Sequence, residues 1–498
     1  MHKTLRVAIA ASCMAVVAPA SGVVLNPRGT GQVLIYPYYT VNAGHGTLLS
    51  VVNTTDKGKA LKVRFLEGYN GRNVLSFNLY LSPFDVWVAQ TFDAGSDAPA
   101  ALATYDRSCT APSFSSFDVP GPRLSSAEFR DAGYTGSNAD GGPSGPERTR
   151  EGYVEIIEMG EVTNPSHDTL DAITHGSNGV PSNCGQVVQA WAAGGYWISD
   201  ATTDLSVPRG GLYGSESIIN VAEGTLYAIN AEVIDGFSSA VQHTEPGNAA
   251  PDLNTASKSA DGMVTAFVPY GSGSIASLYA KSEDAISALF MADALLGEYV
   301  IDPNVGASSD WLVTFPTKRF YTDPALLQAG ATQATRPFDV LFNAYGGGTS
   351  CSQAAAQFFD REELTTTGFG CGFVCPTQPP QGFCFTTNAM TIGSPVSVLG
   401  SQLQSWNSDG VVDSTSGFSS GQARVEMWVD RSGAVQPNHV LASANGRTLK
   451  GLPAIGFIAT DYVNANVTAG VLANYSGAYP QRVHVSCLES TNPESPCY

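Results

Sequence analysis

From Leu61 to Phe65 the chain reads Leu-Lys-Val-Arg-Phe, apolar and charged side chains in strict alternation. That period of two is the mark of a half-buried strand. The turn Gly68-Tyr69-Asn70-Gly71 follows. Leu75, Phe77, Leu79 and Leu81 then make one face, with Ser76, Asn78 and Tyr80 opposite. Pro83 stops that run and Val86-Trp87-Val88 begins another. Short strands separated by turns at this spacing predict antiparallel sandwich packing. The same pattern predicts strands at residues 153–159, 217–221, 226–234, 311–315, 338–342, 425–429, 467–472 and 483–485.

Two stretches break the rhythm. Residues 93–150 are rich in Gly, Pro, Ser and Asp, as in Asp140-Gly141-Gly142-Pro143, and are expected as a loop inserted into the first domain. Residues 238–262, with Pro246, Gly247, Pro251 and Asn254, are expected as a linker or long loop. They would divide an N-terminal β-sandwich (21–237) from a second β-rich region (263–498). A helix is expected near 283–296: Ser282 can cap it, Glu283 and Asp284 suit its positive end, and Gly297 can close it. Ile286, Leu289, Phe290 and Leu296 would face the core. The fold class is therefore mainly β: antiparallel, Ig-like sandwiches with long inserted loops and a few short helices.

The first twenty residues change the setting. His2, Lys3 and Arg6 precede an apolar run from 7 to 17 and the small-x-small triplet Ala18-Pro19-Ala20, the pattern of an export signal. That run is shorter than the roughly 20 residues a bilayer crossing needs. Cys13 lacks the upstream apolar residue of a lipoprotein site. Of the nine cysteines, Cys109, Cys184, Cys351, Cys371, Cys375, Cys384, Cys487 and Cys497 follow the signal. An even number in an oxidising compartment predicts disulfides. Cys109 and Cys184 are the natural pair to tie down the 93–150 insertion. Cys371 and Cys375 lack the second close ligand pair of a zinc site. The net charge of −19 argues against nucleic acid and favours basic partners or divalent cations.

Candidate chemistry is sparse. Gly417-Phe418-Ser419-Ser420-Gly421 matches a nucleophile elbow, and Asp430 and His439 or His484 follow in a usable order. Yet a polar loop precedes the motif and a strand pattern follows it, the reverse of what an elbow needs. No two histidines stand at i, i+4, and His484 alternates with Val483 and Val485 as if solvent-facing. Glu155 and Glu158, at odd spacing on a strand, are expected on opposite faces as solvated carboxylates. Asn407, Asp409 and Asp413 surround a glycine turn and form a calcium candidate, shorter than an EF-hand loop and lacking its distal Glu. Calcium is thus the one cofactor with a candidate site. Lys318-Arg319 reads as solvated charge or a salt-bridge partner, with an anion contact as the alternative. Tyr36 and Tyr38 are expected to share one strand face, as core packing or as a glycan platform, and Pro37 to mark an edge.

The segments GQVLIYPYYTV and TLLSVVNTTDKGKALKVRFLEGYNGRNVLSFNLYLSPFDVW, with REGYVEIIEMGEV, INVAEGTLYAINA and SDWLVTFPTKRFYTD, resemble a group of exported proteobacterial proteins labelled hypothetical or cell-surface proteins. The resemblance implies location and no catalytic residue or ligand. The N-terminal pattern also resembles, more loosely, the Ig-like modules of bacterial surfaces. The expectation is an exported envelope or surface protein, structural or adhesive, without a transmembrane segment, partnered by itself or by other envelope components. Its rivals are a secreted hydrolase whose carboxylates pair only in space and a glycan- or calcium-binding module.

Overall fold

In the computed structural model the 61–65 alternation lies within the strand Gly58–Glu67, inside a ten-stranded sheet. The structure describes residues 22–497 apart from 96, 118–123, 367–381, 408–417, 431, 464–467, 469–470, 472 and 490–491. The expected export signal lies outside the described residues. Across this first sheet the strands run Gly273–Tyr279, Val264–Tyr270, Val23–Leu25, Glu232–Asp235, Val33–Thr40, Glu151–Val162, Gly58–Glu67, Asn73–Leu81 and Cys109–Ala111. Leu205–Ser206 adds to the end of Glu151–Val162. Neighbours are antiparallel except Val23–Leu25 with Val264–Tyr270. That parallel pair draws two strands from beyond 238–262 into the N-terminal sheet, so the segment is no boundary between sheets. It is a long loop laid along the first sheet, burying Leu253 and Ala256. Lys62 Nζ and Asn78 Nδ2 donate to its Glu245 and Thr244 carbonyls at 2.8 and 2.9 Å.

A second, seven-stranded sheet runs Thr225–Asn230, Leu212–Asn220, His45–Asn53, Val86–Asp93, Ala100–Thr104, Leu124–Glu128 and Ser115–Phe117. Leu34, Tyr36, Val63, Phe65 and Phe77 of the first sheet meet Leu49, Val51, Trp87 and Leu102 of the second. Three of the second sheet's strands, and Cys109–Ala111 of the first, come from the region expected as an inserted loop. Its alternating runs are only three to five residues long, and Gly, Pro and Ser around them hide the period.

The first sheet is covered on its other face too. Helix Ser282–Phe290 buries Ala285, Ile286, Leu289 and Phe290 against a core that includes Val33, Ile35, Tyr153, Ile157 and Val264. The helix stops short of the expected 296. Met291–Ala292 and Ala294–Val300 are strands, and Leu296 and Gly297 belong to the latter. Ala294–Val300 is flanked by Ser420–Glu426 and Arg482–His484, and ladder bonds from both sides override helix propensity. Gly297 also permits close sheet packing, since a Cβ there would stand 2.2 Å from Ile458 Cδ1. Ser282 does not cap the helix; its Oγ donates to the Ala256 carbonyl at 2.8 Å.

Much of the remaining chain forms a second sandwich. Its third sheet runs Thr365–Thr366, Ala355–Asp360, Ser420–Glu426, Ala294–Val300 and Arg482–His484. The fourth runs Gln404–Asn407, Thr387–Ile392, Ala307–Thr314, Ile455–Val463 and Asn474–Pro480. Leu295, Tyr299, Phe358 and Val425 pack against Trp311, Val313, Met390 and Ile458. Phe338 and Phe342 are buried, but residues 338–342 form no strand. The expected strand at 467–472 lies mostly outside the described residues. At the seam between sandwiches, Tyr38, Ile218 and Tyr227 meet Leu312, Ala389 and Phe457.

The mainly β, disulfide-stapled class is what the sequence leads one to expect, though these sheets interleave more strands than one Ig-like module holds. Disulfides join Cys109 to Cys184, Cys351 to Cys384 and Cys487 to Cys497. Cys371 and Cys375 lie outside the described residues. No helix among the described residues is long and apolar enough to cross a membrane.

Candidate functional site: an uncharged sheet face

Antiparallel sheets with one solvated face usually place polar side chains there. The second sheet departs from that rule. Its inner residues alternate with an outward set in which Tyr213, Ser215, Ser217 and Ile219 lie beside Leu48, Ser50 and Val52, and these beside Val86, Val88 and Gln90. None of these side chains is charged. Tyr213, Val86, Val88 and, on the neighbouring strand, Leu226 are 44%, 45%, 43% and 48% exposed. Ser50 and Ser215 stand within 3.3 Å of one another across the strand pair. Beyond Gln90 the face dips into a cavity of about 400 Å³ whose lining includes Leu48, Val88, Phe92 and Tyr105. Acids reach this face only toward its far edge, as Asp106 on the cavity lining and Glu128 opposite Ala101, and on a chain of net charge −19 its partly apolar, uncharged centre is where another surface would meet least repulsion. The signal was present in the sequence: Val86-Trp87-Val88 is apolar on both faces of its strand, where alternation calls for polar residues outside.

Many charged residues of the first sheet, by contrast, lie inside. Glu155 and Glu158 do take opposite faces, but neither is solvated. Glu155 pairs with Arg64 within the core. Glu158 accepts Lys59 Nζ at 2.8 Å and the Gly210 amide at 2.6 Å. Arg148 donates through Nε to Glu67 at 2.8 Å and through Nη2 to Asp140 at 2.6 Å, with its guanidinium 4.4 Å from the Tyr134 ring centroid. Covering both faces of the first sheet buries even the alternate positions that a one-sided sandwich would leave wet.

Tyr36, Tyr38 and Tyr39 are buried as well, and Tyr36 and Tyr38 do not share one face. Tyr39 and Tyr36 lie opposite Gly152 and Val154, so three steps on one strand span two on the other. This bulge turns Tyr36 and Tyr39 into the inter-sheet core and Tyr38 into the seam. Their hydroxyls donate to Ser50 O at 2.6 Å, Thr149 O at 3.1 Å and the Glu151 carboxylate at 2.8 Å. Pro37 marks the bulge of an interior strand rather than an edge. The neighbour Glu232–Asp235 pairs only with residues 33–35, so the missing N–H breaks no ladder bond to it.

Lys318 is buried rather than solvated. Its Nζ donates to the carbonyls of Ser350, Phe385 and Phe383 at 2.6, 3.0 and 3.2 Å. Burial pushes its pKa down to about 7, while the three carbonyls favour the ammonium form. Arg319 takes the salt-bridge role, with Asp323 at 3.1 Å.

The serine-hydrolase candidates are not assembled. Ser419 leads into the strand Ser420–Glu426, and no hydrogen bond joins it to either histidine among the described residues. His439 is buried with Nδ1 2.7 Å from Met427 O, and half-exposed His484 holds Asp293 at 2.6 Å. Asp430 is occupied by its own turn, accepting from Ser432 and Ala434. Of the calcium candidates, Asp409 and Asp413 lie outside the described residues and only the backbone of Asn407 is described. Among the described residues no group of three or more His, Cys, Asp or Glu is placed to hold a metal ion. Comparison with family models, curated proteins and solved structures yields no match.

Proposed function

We propose that this chain is an exported cell-envelope or surface protein with a structural or adhesive role, exercised by self-association through the open face of the second sheet. The export pattern at 1–20 and the disulfides support the setting. The observation that carries the role is the charge-free face around Val88 and Tyr213. Two acidic copies repel over most of their surfaces, and identical uncharged faces can pack sheet on sheet.

Analytical ultracentrifugation of the purified mature protein tests this. A concentration-dependent dimer or higher assembly is expected, with Val88→Lys shifting it to monomer. A wild-type protein that stays monomeric at high micromolar concentration, or a V88K variant that assembles unchanged, overturns the reading.

One observation favours a second reading, glycan binding. On the edge strand Asn474–Pro480, Tyr475 and Tyr479 are 65% and 50% exposed. The tip of the Tyr479 ring lies over Gly477, where an added Cβ would stand 2.9 Å from the hydroxyl. Such a ring presents a flat face for a sugar. Loss of glycan-array signal in Tyr479→Ala with assembly intact would favour this reading over self-association.

A further inference from the structure

A cavity of about 620 Å³ opens where the two sandwiches meet, and it is separate from the open face of the second sheet. The first sheet contributes Leu25 and Tyr270, the helix Leu289 and Phe290, and the other sandwich Leu295 and Ile455. The size suits a small organic molecule, and junctions between structural units are where such pockets occur. One carboxylate stands in this apolar wall. Glu232 is directly opposite Ile35 in the sheet register, on the face that carries the buried core.

Glu232, half-buried on the cavity wall, lacks the ion pair that several acids buried in the sandwich have; Glu216 is also unpaired but does not line the cavity. Glu158, Glu67 and Asp140 each have a lysine or arginine within hydrogen-bonding distance. The Glu232 side chain has no hydrogen bond or ion pair to any described residue, and no lysine or arginine among the described residues lines the cavity. Burial alone raises its pKa. At the same wall Gln481 donates through Nε2 to Leu312 O and Phe457 O, which leaves its Oε1 without a donor. The nearest basic group on the lining, His484, already holds Asp293 at 2.6 Å. An uncompensated carboxyl in apolar surroundings is costly, and a cation that brings its own apolar body relieves that cost.

We propose that the seam cavity is a binding site for a small amphipathic ammonium: an amine whose alkyl or aromatic body fills the apolar walls while its N–H groups meet the Glu232 carboxylate. The unpaired acceptor sets the sign of the ligand's head group, and the apolar walls set the character of its tail.

Isothermal titration of the full mature protein with n-octylammonium, n-octanol and octanoate tests this. Octylammonium is expected to bind at least tenfold more tightly than either of the others. Glu232→Gln is expected to remove that preference while octanol binding is retained. Val483→Trp fills the cavity from its half-exposed rim, where Val483 is 51% exposed, and is expected to block both octylammonium and octanol. Equal binding of amine and alcohol, an E232Q variant that keeps its amine preference, or a V483W variant that binds amine unchanged each overturns the proposal.

Discussion

The two sheets of the first sandwich share one core and treat charge in opposite ways. The first sheet, covered on both faces, carries Lys59, Arg64, Glu155 and Glu158 in its interior, each with an opposite partner. The second sheet has one face open to water, and the outward side chains around Val88 and Tyr213 on that face are uncharged, while Glu216 of the same strand as Tyr213 is buried on the inner side. A buried ion pair contributes little net stability against an apolar replacement, but breaking it leaves an uncompensated charge and costs heavily. The first sheet is therefore intolerant of single changes. The second can be altered from outside at little cost in stability, as suits a contact surface.

The sharpest break is at Arg148. Arg148→Ala strands Glu67 and Asp140 in the core, and unfolding by denaturant should show a loss of about 3–5 kcal/mol. Opening Cys109–Cys184, which closes a separation of 75 residues, should cost about 2–5 kcal/mol in a Cys109→Ser, Cys184→Ser variant measured the same way.

The third effect depends on pH. Burial pushes Asp310 up to about 7, against hydrogen bonds from Ser397 and Leu399, and raises Glu216 well above the carboxylate range. Both folded-state values exceed those of the unfolded chain, so the native state keeps protons that the unfolded state releases. Their stability contribution is complete below about pH 4 and is lost as pH rises, through about 7 for Asp310, at up to about 1.4 kcal/mol per pH unit per group. Denaturation between pH 4.5 and 8 should show this decline, and Asp310→Asn, which can still accept both hydrogen bonds, should make it shallower. The smallest effect is expected at the open face: Val88→Lys should change stability by no more than about 0.5 kcal/mol. A matching Ile35→Lys, on the doubly covered sheet, should prevent folding. If both lysines were tolerated equally, the contrast between the sheets would fail.

Period-two alternation was enough to place the strands at Gly58–Glu67, Asn73–Leu81 and Ala307–Thr314, because those runs are long and keep one apolar face. Cysteine spacing around the insertion was enough to anticipate Cys109–Cys184. The candidate surface was only partly legible, as excess apolar character at Val86 and Val88, since a strand read alone does not reveal whether a second layer covers it.

The amino-acid order by itself determined the mainly β character, the acidic net charge and the supply of cysteines, all of which follow from local pattern and composition. Tertiary structure alone decided that Glu155, Glu158 and Lys318 are buried, that residues 264–279 join the N-terminal sheet, and that Glu232 stands unpaired in a seam. The physical reason is that burial and pairing depend on which layer covers which face. A bulge such as the one at Pro37, or a parallel partner such as Val264–Tyr270, arises from contacts far apart in the chain.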